Sequence, residues 1–224
     1  ACFGESTQTF IGNGLTWLYP ASPNPYLGSY NENKIQIIYT ASELNAAGFV
    51  GGKITSLSFE ILHKGSAQPY SGFTMKMGCT SIFEFPQFPQ FEPGLIQVYH
   101  SPNYTTIEGW NNHDLDNAFE WDGTSNLIIE VCFDNFATTS IDFVSKTATT
   151  TRMAMIRSSY GGISSDACTL PNGVGYLERP NIRFTHCSGV PDPSNSNYSW
   201  SPSTGLSDST IQNPIAAPTN STIY

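Results

Sequence analysis

The residues able to do chemistry in this chain are few and scattered. Four histidines, His63, His100, His113 and His186, stand far apart, and no HExxH, GxSxG or phosphate-loop string occurs. A nucleophile, base and acid would have to converge from distant segments, and no local motif supports that. The two glycines of "IGNGLTW" lack a third glycine and a strand-then-helix setting, so they read as a turn. The densest acidic stretch is "WNNHDLDNAFEWDGTSN", with Asp114 and Asp116 two residues apart and Glu120 and Asp122 following. Hard oxygen ligands suit calcium, which makes Asp114, Asp116 and Asp122 a candidate set, although the ligand ladder and closing Glu of an EF-hand are missing. In the competing reading Asp122-Gly123 makes a turn and the other two carboxylates face solvent.

Aromatic residues form 13% of the chain, and four of them, Trp17, Tyr19, Tyr26 and Tyr30, crowd the Pro- and Gly-rich "LTWLYPASPNPYLGSY". Exposed, they would be a platform for stacking sugar rings; turned inward, they would close one end of the core.

Charge narrows the partners. A net charge of -9, with nine Lys and Arg placed singly, offers no basic face for phosphates, which argues against nucleic acid and against an anionic membrane surface. No apolar run approaches the roughly 20 residues that span a bilayer, so no membrane insertion is expected. No charged-then-apolar leader opens the chain, so export would make Ala1 a processed start. Cys2, Cys79, Cys132, Cys168 and Cys187 contain no CxxC pair. With sequons at Asn103, Asn197 and Asn220 and few lysines, they point to an exported protein holding at least one disulfide.

The elements that must position these groups are strands. Only 12% of residues are charged, while 19 Gly and 15 Pro punctuate short apolar runs. Period-two patterns recur in "KIQIIYT", "ITSLSFEIL" and "GFTMKMGCT", the last placing Cys79 inward beside Phe73, Met75 and Met77. "LIQVYHS", "NLIIEVCFD", "IDFVS", "RMAMIRSS" and "PNIRFTH" follow at sandwich-like spacing. One short helix is expected in "TASELNAAG", where Thr40 and Glu43 have capping-box spacing. "IFEFPQFPQFEPG" cannot be a central strand, so its phenylalanines either cover the core or form a sticky rim. About eight strands over 1–187 predict an all-β, jelly-roll-like antiparallel β-sandwich. Alternation in "NLIIEVCFD" turns Cys132 outward, where the loop "SSDACTL" can bring Cys168 over it, so Cys132–Cys168 is the expected disulfide. Cys187 pairs either with Cys2 or with a partner beyond residue 224.

Taken in order, "QIIYTASELNAAGFVGGKITSLSFEI", "FTMKMGCTS", "FEWDGTSNLIIEVCFDN" and "RPNIRFT" resemble a β-sandwich module of large secreted proteins of Bacteroidota, especially gliding and marine flavobacteria. That resemblance implies surface adhesins or secreted enzymes exported by type IX secretion, with no catalytic residue to carry over. The tail "YSWSPSTGLSDSTIQNPIAAPTNSTIY" is similar to part of an immunoglobulin-like or polycystic-kidney-disease-like repeat. It implies a second unit over 188–224, with Trp200 as its core residue and Leu206 and Ile211 packing its loop. About 37 residues cannot bury a stable core alone. Either the rest of that unit lies elsewhere, or a neighbouring chain completes it by strand exchange through 188–224. Asp208-Ser209-Thr210 also resembles the phylum's short O-glycosylation signal, which would place sugar on Ser209; a plain turn is the alternative.

The combined expectation is a non-enzymatic adhesin or filament module on the bacterial surface, with surface glycans or neighbouring subunits as partners and no cofactor unless calcium binds. The alternative is a carbohydrate-binding accessory module of a secreted polysaccharide-degrading enzyme.

Overall fold

The computed structural model describes residues 6–14, 23–161, 166–188, 199–210, 214–219 and 221. In chain order the strands are β1 (Ser6–Ile11), β2 (Glu32–Tyr39), β3 (Gly52–His63), β4 (Tyr70–Thr80), β5 (Ile96–Tyr104), β6 (Gly109–Trp121) and β7 (Asn126–Asp134). They continue with β8 (Phe143–Val144), β9 (Lys146–Ala148), β10 (Ala154–Ser159), β11 (Val174–Tyr176), β12 (Glu178–Pro180) and β13 (Ile182–Ser188). One sheet runs β1-β13-β3-β6 with β8 added beside β3, and the other runs β11-β10-β2-β7-β4-β5. All pairings are antiparallel, and the two sheets pack together as a β-sandwich.

The α-helix α1 (Ala41–Ala46) starts where its capping box places it. Thr40 Oγ1 accepts from the Glu43 N–H, and Glu43 Oε2 accepts from the Thr40 N–H. Arg179 pairs with Glu43 and lies over the Tyr39 ring, tying the helix to β12.

The main core fills the space between the sheets with residues the alternation picked out, such as Ile35, Ile37, Leu57, Phe59, Met75, Ile129 and Val131. Two expectations need correction. Cys79 has the inward parity of Phe73, Met75 and Met77, yet it is exposed, because β4 outruns the core there and ends beside Asp122. "IDFVS" gives only the two-residue β8. The longest strand, β6, lies in the stretch read as an acidic cluster. Its inward positions include Asn111 and His113, polar side chains that hide the alternation.

Those polar groups are inside because partners wait for them. Tyr26 Oη is 2.7 Å from His113 Nε2, and both residues are fully buried within stacked Phe73 and Tyr104. Asp142, also fully buried, accepts through Oδ1 from the Gly65 and Ser66 N–H groups and through Oδ2 from the Ser66, Thr106 and Tyr70 hydroxyls.

The described tail pairs with itself. Leu206 bridges Ala216, and Trp200 N–H donates to Ser209 O. Trp200 is 37% exposed, and Ile211 lies outside the described residues.

Burial lowers the His113 pKa from 6.5 to about 3 and shifts His186 in the same direction. The unfolded chain then binds more protons than the folded one between those values, so stability is retained above pH 6.5 and lost as pH falls toward 3. Urea midpoints should decline between pH 7 and 5, and the decline should be shallower in His113→Gln. Asp142→Ala strands five donors and should cost about 3 kcal/mol or more by the same measurement.

Candidate functional site

The six-stranded sheet is also covered on part of its outer face. Outward residues of β2, β7 and β10 (Ile38, Ile128 and Met155) meet Phe85, Phe91, Ala167 and Leu170 from the loops over 81–95 and 166–173. The Phe-Pro stretch divides accordingly: Phe85 and Phe91 are buried, while Phe83 and Phe88 stand out at 70% and 73% exposure.

Polar side chains hold this cover down. Gln36 acts as a strand rung, donating to Glu92 O and accepting from Glu92 N–H, each at 2.9 Å. Lys34 Nζ donates to Cys168 O at 2.8 Å and Leu170 O at 3.2 Å, lies over the Phe91 ring, and is 3.3 Å from Glu130. Burial lowers its pKa, opposed by Glu130. Lys76 reaches the other oxygen of Glu130 at 3.0 Å. Cys132 and Cys168 are bonded to each other, so the outward-parity argument located this disulfide correctly. Cys187 is also disulfide-bonded; Cys2 lies outside the described residues.

Beyond the cover the face is open. Two depressions, of about 530 and 520 Å³, meet at Asp134. Lys76, His100, Asp166 and Cys168 border the second; Asn31, Glu32, Asn135, Phe136 and Tyr160 border the first. Antiparallel register sets Glu32 directly opposite Asp134 on one side and Ser159 on the other. The Asp134 pKa is raised by burial, then by the charges of Glu32 and Asp166. Asn31 Nδ2 donates to the carbonyls of Asn135 and Phe136, and Asn135 N–H donates back to Asn31 O. This clamp presents a fully exposed Phe136, while Tyr160, 72% exposed, packs on Tyr30 with ring centroids 4.7 Å apart.

Of the candidate platform Trp17, Tyr19, Tyr26 and Tyr30, the described residues divide, and Tyr26 follows the inward alternative. Trp17 and Tyr19 lie outside the described residues. Tyr26 is a core residue, because Asn24 Oδ1 accepts from its N–H and turns the chain so that the ring stacks on Phe73. Tyr30 reaches the rim, through Tyr160.

The three aspartates are not brought together. Asp114 and Asp116 point outward from β6, accepting from Asn112 Nδ2 and the His100 N–H. Asp122 lies six residues beyond Asp116, about 20 Å along an extended strand. Its Oδ1 accepts from the Thr124 and Ser125 N–H groups, and hydrogen bonds from the Ser125 side chain first, then from the Ser125 and Thr124 backbone, pull its pKa down to about 2. Among the described residues no group of three or more His, Cys, Asp or Glu could hold a metal ion. Asn103 is exposed on β5; Asn197 and Asn220 lie outside the described residues. Ser209 sits in a turn closed by Asp208, which accepts from Thr210 N–H and Oγ1.

Sequence reasoning missed Phe136, Tyr160, Glu32 and Asn135. The available signal was positional: "DNF" and "SSYGG" set aromatics beside turn residues just past strand ends, where loops carry binding groups.

Comparison with protein-family models, with curated proteins and with solved structures finds no match for this chain.

The disulfide closes a 36-residue separation. Replacing both Cys132 and Cys168 with Ala should cost about 3–4 kcal/mol in chemical denaturation. Limited proteolysis should then begin within 166–173, the segment that loses its tether.

Proposed function

We propose that this chain is a non-enzymatic extracellular adhesin or filament module, exported by type IX secretion, displayed on a gliding bacterium's surface and mediating attachment or assembly. The observation that carries the reading is the open trough, with exposed aromatics and amides at the loop ends of a sandwich tied by disulfides. The histidines are engaged elsewhere: His113 with Tyr26, His186 with Thr9, His100 with Thr74 and His63 beside Glu108. That supports the non-enzymatic reading.

A jelly-roll architecture fits the same reading. The order β1-β13-β3-β6 set against β2-β7-β4-β5 is the alternation that two interleaved Greek keys generate. The tail over 188–224 is taken as the start of an immunoglobulin-like or polycystic-kidney-disease-like unit, with strand exchange as a route to assembly. Partners are surface glycans or neighbouring subunits. The trough equally favours a second reading, a carbohydrate-binding accessory module of a secreted polysaccharide-degrading enzyme.

Beads coated with the protein should attach to polysaccharide films or bacterial surfaces and release no reducing ends from them. Turnover of glycoside or ester substrates by the purified chain would overturn the non-enzymatic reading, and failure to attach to any such surface would overturn the adhesive one.

A further inference from the structure

We infer that the depression at the Glu32–Asp134 end of β2 and β7 is a sugar subsite that reads the hydroxyls of a neutral pyranose and turns away acidic glycans. This rests on the adhesive reading and names its ligand class.

The first ground is a pair of unmatched polar atoms. Glu32 Oε2 and Asn135 Nδ2 are buried side-chain atoms with no hydrogen-bond partner, and both residues line the depression. One is an acceptor and the other a donor. The Asn135 amide cannot be turned over to remove the mismatch, because its Oδ1 accepts from the Ser71 N–H at 2.8 Å. Buried polar groups are normally paired, and a site built this way discriminates strongly for a ligand that completes it. Sugar hydroxyls both donate and accept, so one ligand class matches both groups. A bare metal cation does not, since the amide N–H repels it.

The second ground is the rim. Phe136 and Tyr160 are the exposed aromatics of this depression, one presented by the Asn31 clamp and the other backed by Tyr30. Aromatic faces take the C–H face of a pyranose while polar groups below read its oxygens. The volume, about 530 Å³, falls within the usual ligand-site range of roughly 300–1,000 Å³.

The third ground is charge. Glu32 and Asp134 face each other across the strands, and Asp166 adds its field to Asp134. A ligand carboxylate entering here would meet like charges in a partly desolvated place, on a chain already at -9. A neutral sugar meets acceptors for its hydroxyls instead.

The test is calorimetric titration of the whole chain with neutral hexose tetrasaccharides (β-glucan, mannan and galactan) and with tetrasaccharides of alginate and polygalacturonate. At least one neutral probe should bind, and the acidic probes should bind at least tenfold more weakly. Tyr160→Ala and Phe136→Ala, both at exposed positions, should each weaken neutral binding about tenfold. Glu32→Gln, which keeps shape and removes charge, should narrow the gap between neutral and acidic probes. Trp110→Ala serves as control on the far face, where Trp110 packs against Phe10 and Arg183, and should leave binding unchanged. Neutral binding that survives both aromatic substitutions, or is lost only with Trp110→Ala, overturns the subsite. Acidic probes binding as tightly as neutral ones overturn the selectivity. If no probe binds while coated beads still attach, the subsite falls and the adhesive reading stands; if beads also fail, both fall.

Discussion

The Asp142 carboxylate is the constraint on which one end of the sandwich depends. Five donors converge on it from the β3–β4 connection, the start of β4 and the β5–β6 connection, while its own carbonyl accepts from Asn24 Nδ2. A buried carboxylate is costly unless its lone pairs are filled, so these segments have one arrangement that satisfies them together. Tyr70 extends the network, donating to both Asp142 and the Tyr26 carbonyl. Tyr26 in turn carries it to His113 in the middle of the core. The segment leading to Asp142 begins at Asn135 and Phe136, and Thr139 N–H donates to Gly28 O on the way. The rim of the trough is thus anchored at both ends.

The six-stranded sheet shows how two apolar faces are managed without a third layer of regular structure. Over the part where Ile38, Ile128 and Met155 face outward, irregular loops supply Phe85, Phe91 and Leu170. Loops bring backbone groups that also need partners, and Gln36 and Lys34 provide them from the sheet itself. Glu130 then balances two lysines at the centre. Where this cover stops, the same face turns from closed core to open trough within one residue pair of β7, from Cys132 to Asp134.

Strands with one or two apolar faces were legible. "NLIIEVCFD" became β7 with its ends where the sequence placed them, and its alternation put Cys132 under Cys168. The Thr40–Glu43 cap was legible because its chemistry is local. What failed was tertiary in origin. Asn111 and His113 are inward only because the distant groups around them accept them there, and hydropathy cannot report that. For Tyr26 the sequence left an exposed platform and an inward lid both open, and the Asx turn at Asn24 that points it inward is what decides between them. The trough itself joins residues 31–32, 134–136 and 160, segments that meet only through strand register.

Register also decides how the sandwich carries load. β1 runs antiparallel to β13 with Ser6 opposite Cys187, so the start of β1 and the end of β13 lie at the same end of the sandwich. Tension applied through those two points pulls the ladder apart one rung at a time, a peeling geometry, instead of shearing all its hydrogen bonds together. The rung at which peeling starts holds Cys187, a covalently bonded cysteine. A covalently bonded cysteine therefore sits at the rung where the backbone ladder is mechanically weakest.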